Sequence, residues 1–377
     1  MENNDVDIKL DSGVSSDNQQ VFQDVLEVEE SKDYFNIEHY KKKAPVNSKL
    51  SVNDRINISS YIAKKHPFTK INNTVDKLLD FSPNETDDKV ISELNGDGFH
   101  VLENRISEGL CDDIAKKLES VPYRIRGFKK KLYGINESNI SKYRANAIWA
   151  INQNDIYKIP EVQKIAFDEN LLNIIGGFLG SDPILCSTTS WWSKSHSSHR
   201  SNLSGNAQLF HQDVDYLKFI KVFIYLNDIE EKNGPHQYVK GSAKTAEDKL
   251  GEEYRTSSRV EDDRVKEIFG EENIKTFTGK KGTIIIEDTL GLHKGTSVKE
   301  GSRLLVQLVY TNSLYFHSSQ HFDPSISLPE VKEFCQKRPR VFSNFTNKAA
   351  EINRKKIEIG SKMTLKQYIV ARVRKYI

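Results

Sequence analysis

Cysteine is scarce: Cys111, Cys186 and Cys335 are the only three in 377 residues. They lie far apart, are odd in number and form no Cys-x-x-Cys pair, which argues against a zinc ribbon or a disulfide framework and fits a reducing cytoplasm. No stretch approaches the roughly 20 apolar residues that span a bilayer. The opening residues, MENNDVDIKLDSG, are acidic and polar where a secretory signal would be apolar, and the closing ARVRKYI is not a peroxisomal address of the SKL type. A dominant charge is missing as well. A net charge of +2 gives no whole-protein argument for nucleic acid or membrane as a partner. What remains, 37% hydrophobic and 29% charged residues, is the composition of a globular chain long enough for one large domain with appendages, or for two.

Charge is unevenly placed along the chain. The first 40 residues hold 11 acidic residues and two lysines, so residues 1–45 are expected to be an acidic, disordered tail. Residues 317–377 hold 13 Lys and Arg against five Asp and Glu and are expected to be a basic helical extension. Residues 46–87 contain INISSYIAKK and NNTVDKLLDF, which suggest short helices. A core domain is expected over 88–316. It opens with a strand at Gly98–Leu102 and a helix whose Ile106, Leu110, Ile114 and Leu118 recur every four residues. Arg124, Arg126, Lys129, Lys130 and Lys131 form a basic run, read first as a solvated loop. ENLLNIIGGFLG (169–180) is a helix stopped by glycine. From residue 184 onward the pattern is strands: Lys221–Leu226, Thr283–Ile286 and Leu304–Tyr310, punctuated by Asn233-Gly234-Pro235, Gly279, Gly282 and Gly291. Many short strands after a helical start predict a mainly β fold, a double-sheeted jelly roll with helices outside. The charged segment 244–275 is expected to be helical and to form a lid. No internal repeat is apparent.

Three features converge on one chemistry. His211-Gln212-Asp213 places a histidine and a carboxylate on one face of a strand. His293 follows 82 residues later, after the Thr283–Ile286 strand and a turn. Arg303 opens the next strand, which could run antiparallel to the one before His293. Two histidines and a carboxylate form the facial triad that holds non-haem iron(II) and leaves three positions open. A 2-oxo acid takes two of them, dioxygen the third, and the far carboxylate of the oxo acid needs a rigid cation such as an arginine fork. Asp215 shares the strand face with Asp213, but four residues of strand advance roughly 13 Å, too far for it to share an ion with His211.

Residues 90–316 resemble the phytanoyl-CoA dioxygenase family. The landmarks are His211-Gln-Asp213, Leu226-Asn-Asp228-Ile, Asn233-Gly234-Pro235, Gly241-Ser242, and Gly282-Thr-Ile-Ile-Ile-Glu-Asp288 running on to His293 and Arg303. The resemblance implies a double-stranded β-helix (a cupin-like jelly roll), iron(II), 2-oxoglutarate and dioxygen. The implied reaction is oxidative decarboxylation of 2-oxoglutarate to succinate with hydroxylation of a C–H bond. It implies His211, Asp213 and His293 as metal ligands, Arg303 for the far carboxylate, and Phe223 beside the oxo acid. Two positions depart from the pattern. Lys240-Gly241-Ser242-Ala243 stands where Pro-Gly-Ser-His is common, and Gly295 stands where a hydroxyl is common, leaving Thr296 as the candidate hydroxyl. Asp213 favours hydroxylation over halogenation, since halogenating relatives lack the carboxylate. The missing peroxisomal address makes a fatty-acyl substrate less expected.

Bland readings compete with these. His211 alone would be an ordinary core histidine, Asp213 a turn cap and Arg303 a structural ion-pair residue; their order and spacing outweigh this. Asn233-Gly234-Pro235 reads as a turn and nothing more, and His236 has no evident partner. Trp191 and Trp192 precede the triad strand, and one of them is a candidate for the substrate pocket. His196 and His199, in a serine-rich setting, are not a zinc site; His317 and His321 read as surface residues. The competing functions are an oxidase or desaturase using the same cofactors, a cupin isomerase with another metal, and a catalytically inactive jelly-roll binding module.

Overall fold

The computed structural model describes residues 14–30, 50–81, 87–103, 105–125, 129–143, 147–195, 208–251, 259–315 and 321–346. Its centre is a pair of sheets built from ten strands: β1 (Phe99–Leu102), β2 (Tyr123–Ile125), β3 (Ala147–Ala150), β4 (Ile184–Lys194), β5 (Phe219–Tyr225), β6 (His236–Val239), β7 (Ile274–Phe277), β8 (Ile284–Glu287), β9 (His293–Gly295) and β10 (Ser302–Thr311). The larger sheet has the order β1-β8-β5-β10-β4-β3-β2, and the smaller β7-β6-β9; every pairing within them is antiparallel. Residues 210 and 211 extend the small sheet through bridges to Val260 and His293. This is the expected jelly roll. Helices contribute more of the described residues than strands, and several pack against the outer core or the flank of the small sheet.

Strand alternation sorts the side chains into two compartments. On β5, Ile220, Val222 and Ile224 join an outer core with Leu304, Val306 and Leu308 of β10, packed against the helices Glu108–Leu118, Pro160–Ala166 and Glu169–Leu179. The opposite parity, Phe223 and Tyr225, faces the barrel interior with Tyr238, Phe277, Ile285 and Leu305. Burying both faces explains why these strands read as continuous apolar runs. The helices begin and end where capping chemistry dictates. Ser107 and Asp168 accept backbone N–H groups at their N-termini, and Gly180 closes the second at φ 75°.

Several expectations need correction. The acidic tail is not wholly disordered. Gln19–Glu30 is a helix with Val21, Phe22 and Val25 buried against Ile58 and Ile62 of the helix Val52–Lys65. Its apolar stripe is hidden in sequence by the acidic residues between. Residues 1–13 and 31–45 lie outside the described residues. Between 46 and 87, Val52–Lys65 forms one helix, while NNTVDKLLDF is not helical and runs over the outer core through Val75 and Leu79. In the C-terminal extension the helix Pro329–Lys337 is described, and 347–377 are not. The two extensions meet: Arg340 donates to Glu29 at 2.9 Å, Ser313 donates to the same carboxylate at 2.5 Å, and both charged side chains are buried. Segment 244–275 does carry helices, Ser242–Leu250 and Asp262–Phe269. They pack Ala246, Val265 and Phe269 against Phe210, Val239 and Leu292, so they buttress the outside of the small sheet.

Candidate metal and co-substrate site

His211 and His293 are held as a pair by their own backbones. Each donates its N–H to the other's carbonyl at 3.0 Å, which brings the two rings to 4.3 Å between centroids. Each ring also meets the carbonyl two residues upstream: His211 Nδ1 lies 2.9 Å from Leu209 O, and His293 Nδ1 lies 2.9 Å from Gly291 O. A carbonyl can only accept, so Nδ1 carries the hydrogen in both rings and Nε2 is the free coordinating nitrogen.

The Asp213 backbone is pinned by donation to Thr289 O at 2.8 Å. Its Oδ1 stands 3.7 Å from His211 Nε2 and its Oδ2 stands 3.2 Å from His293 Nε2. All three residues offer one ligand atom within 4.8 Å of the others. Metal bonds of about 2.1 Å at right angles put neighbouring donors about 3 Å apart, so this group is of the size that one ion needs. Asp215 is outside it, with a side chain 56% exposed; residues 212–215 do not form a strand, so the expected strand rise does not apply to this segment.

The loop between β8 and β9 that delivers His293 is tied down at several points. Leu292 N donates to Ser242 Oγ at 2.7 Å, and Ser242 Oγ donates to Val239 O at 2.6 Å. Tyr238 donates its hydroxyl to Asp288 O at 2.8 Å, and Gln212 Nε2 reaches Leu290 O. The Gly241-Ser242 landmark thus acts by fixing the backbone beside His293.

Electrostatics follow from burial and charge. Burial pushes the His211 pKa down to about 3, helped by His293. Burial would raise the Asp213 carboxyl pKa, but Lys221 and the two histidines outweigh it and hold it well below the usual range. Burial likewise opposes protonation of His293, and Asp213 reverses the sign and raises it.

Arg303 faces the same interior. It is buried; Nη1 donates to Gly234 O, Nη2 donates to Ser193 Oγ at 3.2 Å, and Nε has no partner. Among the described residues no carboxylate forms an ion pair with it, and burial lowers its pKa. A buried guanidinium without an anion calls for one to be supplied. The strand geometry differs from the expectation. β8 and β10 flank β5 and are both antiparallel to it, hence parallel to each other. The Asn-Gly-Pro turn is more than a turn, since its Gly234 carbonyl holds Arg303. Gly234 sits at φ 77°, and a Cβ there would meet Thr296 O at 2.7 Å.

The remaining candidates divide. Phe223 is buried in the interior, 6.2 Å from Trp191 and 4.9 Å from His236 between ring centroids. Trp191 shares that interior, whereas Trp192 belongs to the outer core and is removed from the substrate candidates. The Thr296 hydroxyl donates to Pro235 O at 2.9 Å, so its hydrogen is already taken by the Asn-Gly-Pro turn. The position beside the guanidinium is Gly295, where a Cβ would lie 2.7 Å from Arg303 Nη2, so a side chain there would have to displace the guanidinium. His236 does have a partner, Glu287 Oε1 at 2.9 Å, and both lie inside the barrel. The sequence reading missed this pair and Lys221. The only signal available was parity, since Lys221 shares its strand face with Phe223 and Tyr225. His321 is half-buried, with Nδ1 2.7 Å from Asn344 Oδ1; His196, His199 and His317 lie outside the described residues. Lys129, Lys130 and Lys131 are exposed, as a solvated loop requires.

A family model described as Phytanoyl-CoA dioxygenase (PhyH) matches residues 94–302, more than half of the chain. The chain belongs to the phytanoyl-CoA dioxygenase family. Iron(II), 2-oxoglutarate and dioxygen are the cofactors of this family, and the donor set and the unpaired Arg303 fit them. Similar solved structures include HygX from Streptomyces hygroscopicus with nickel and 2-oxoglutarate bound (17% identity, 59% of this chain and 86% of that chain, TM-score 0.40). They also include EctD from S. alaskensis in its apoform (15%, 64% and 83%, 0.42). A third is the non-heme alpha ketoglutarate dependent epimerase SnoN from nogalamycin biosynthesis (12%, 60% and 82%, 0.42). None reaches 25% identity or a TM-score of 0.5, so membership of the phytanoyl-CoA dioxygenase family rests on the family model. A search of curated proteins finds no match. Among the described residues no helix is long and apolar enough to cross a membrane.

Proposed function

We propose that this member of the family is a hydroxylase that oxidises a C–H bond of a small molecule, with His211, Asp213 and His293 holding iron(II) and Arg303 holding the far carboxylate of 2-oxoglutarate. The observation that carries this reading is one barrel interior containing both a His-Asp-His group of metal-binding size and a buried arginine with no carboxylate partner among the described residues. Bound iron with 2-oxoglutarate and dioxygen supplies the oxidising power, and the co-substrate leaves as succinate and CO2.

The chain's own residues do the rest. The carbonyls of Leu209 and Gly291 fix the histidine tautomers so that both Nε2 atoms face the metal position. Arg303, anchored by Gly234 and Ser193, orients the oxo acid by charge and fork geometry. Phe223 and Trp191 give the interior an apolar wall that excludes water beside the reacting centre. Cys111 and Cys186 are free and buried, consistent with work in a reducing cytoplasm. The intact group speaks against an inactive binding module. The test is anaerobic addition of iron(II) and 2-oxoglutarate, which should produce a weak charge-transfer band, followed by air, which should yield succinate slowly without any prime substrate. Absence of both the band and succinate overturns the reading.

A further inference from the structure

Lys221 is the third of seven residues of β5, in the run Phe-Ile-Lys-Val-Phe-Ile-Tyr, where every residue is buried. Its side chain is 10% exposed, and its ammonium stands 2.5 Å from Asp213 Oδ2 and 3.2 Å from Asp215 Oδ2. A lysine in such a strand is unfavourable unless paired. Here the pair is formed with the carboxylate assigned to the metal. We propose that Lys221 is a positioning residue of the metal centre, holding one oxygen of Asp213 so that only the other is offered to the ion. This rests on the metal assignment made above.

The argument is one of counting positions. A free carboxylate can bind a metal through one oxygen or through both. Both oxygens face the histidines, Oδ2 at 3.2 Å from His293 Nε2 and Oδ1 at 3.7 Å from His211 Nε2, but only Oδ2 is engaged in a short charge-assisted bond to lysine, the stronger kind of hydrogen bond. Three protein ligands and a two-point oxo acid fill five of six positions, and a carboxylate bound through both oxygens would take the sixth. Lys221 therefore keeps a position open for the gaseous co-substrate. Asp215, on the other side of the ammonium, is the second anchor that keeps Lys221 in place, and its exposed carboxylate need not touch the metal at all.

Nitric oxide, which binds the same open position, reads this directly under anaerobic conditions by electron paramagnetic resonance. Protein loaded with iron(II) and 2-oxoglutarate is titrated with nitric oxide as wild type, Lys221→Met, Lys221→Arg and Asp215→Asn. Lys221→Met should keep iron and 2-oxoglutarate dissociation constants within about threefold yet weaken nitric oxide binding about tenfold or more, the effect of closing one metal position. Lys221→Arg, which restores a cation to Oδ2, should recover it, and Asp215→Asn should fall between. Should Lys221→Met not fold, Lys221→Gln takes its place with the same outcomes. Wild-type nitric oxide affinity in the Met or Gln variant overturns the proposal. So does parallel loss of iron, oxo acid and nitric oxide, which would mark a merely structural lysine. If the wild type itself binds neither iron nor 2-oxoglutarate, the oxygenase reading fails first, and visibly so.

Discussion

Replacing Arg303 by alanine should weaken 2-oxoglutarate binding while leaving iron binding within a few-fold of wild type. The guanidinium is buried, has two neutral acceptors and lacks an anion, so the oxo-acid carboxylate completes an unsatisfied charge. Loss of such a desolvated charge pair costs roughly 2–5 kcal/mol. At about 1.4 kcal/mol per decade that is about 30-fold or more in Kd. Thermal or chemical denaturation offers a second readout. Ligand at 100 times the wild-type Kd stabilises the folded state by about 2.7 kcal/mol, and a 30-fold weaker variant would keep about 0.9 kcal/mol of that. The assay is anaerobic titration followed by the charge-transfer band, paired with denaturation with and without 2-oxoglutarate. Arg303→Lys separates charge from shape. It keeps the cation but loses the fork, so it should recover only part of the affinity. Unchanged 2-oxoglutarate affinity in Arg303→Ala, or a proportionate loss of iron, would refute the role given to this residue.

Asp213→Asn should abolish tight iron binding, whereas Asp215→Asn should retain it; titrating both side by side decides between them, and the reverse pattern moves the ligand to Asp215. Gly295→Ala should impair 2-oxoglutarate binding with iron retained, because the new Cβ would sit 2.7 Å from Arg303 Nη2; unaltered oxo-acid affinity would mean the guanidinium can move aside. Arg340→Met should destabilise the fold by about 3–5 kcal/mol by stranding the buried Glu29, and adding Glu29→Gln should return part of that loss, as a double-mutant cycle in urea would show. Deleting residues 1–40 should likewise lower stability, since it removes Phe22 and Val25 from a packed cluster and Glu29 from Arg340; an unaltered urea midpoint would show that the helix contributes nothing.

The metal group was legible from the short His-x-Asp spacing and from the order of the distal histidine and the arginine, although residues 212–215 are not strand and parity did not place Asp213. The barrel was legible from β-branched runs bounded by glycine. What escaped depended on tertiary contact. Lys221 and Glu287 look like strand-edge charges until the barrel closes around them. Thr296 lies just beyond β9, and its hydroxyl is taken up by the Pro235 carbonyl, a tertiary contact that spacing does not show. The Gln19–Glu30 helix escaped because net charge describes a segment's average, and three apolar residues on one face suffice to dock it.

The clasp between Glu29 and Arg340 joins residues 311 positions apart. On a ribosome adding about 5–20 residues per second, the N-terminal helix emerges some 15–60 s before the residue that neutralises its buried carboxylate exists. During that interval Phe22 and Val25 have only a partial docking surface, because Leu314 and Tyr315 of the same cluster are also made late. This early helix is therefore among the last elements to be secured, and an exposed apolar stripe on a nascent chain is what holdase chaperones recognise.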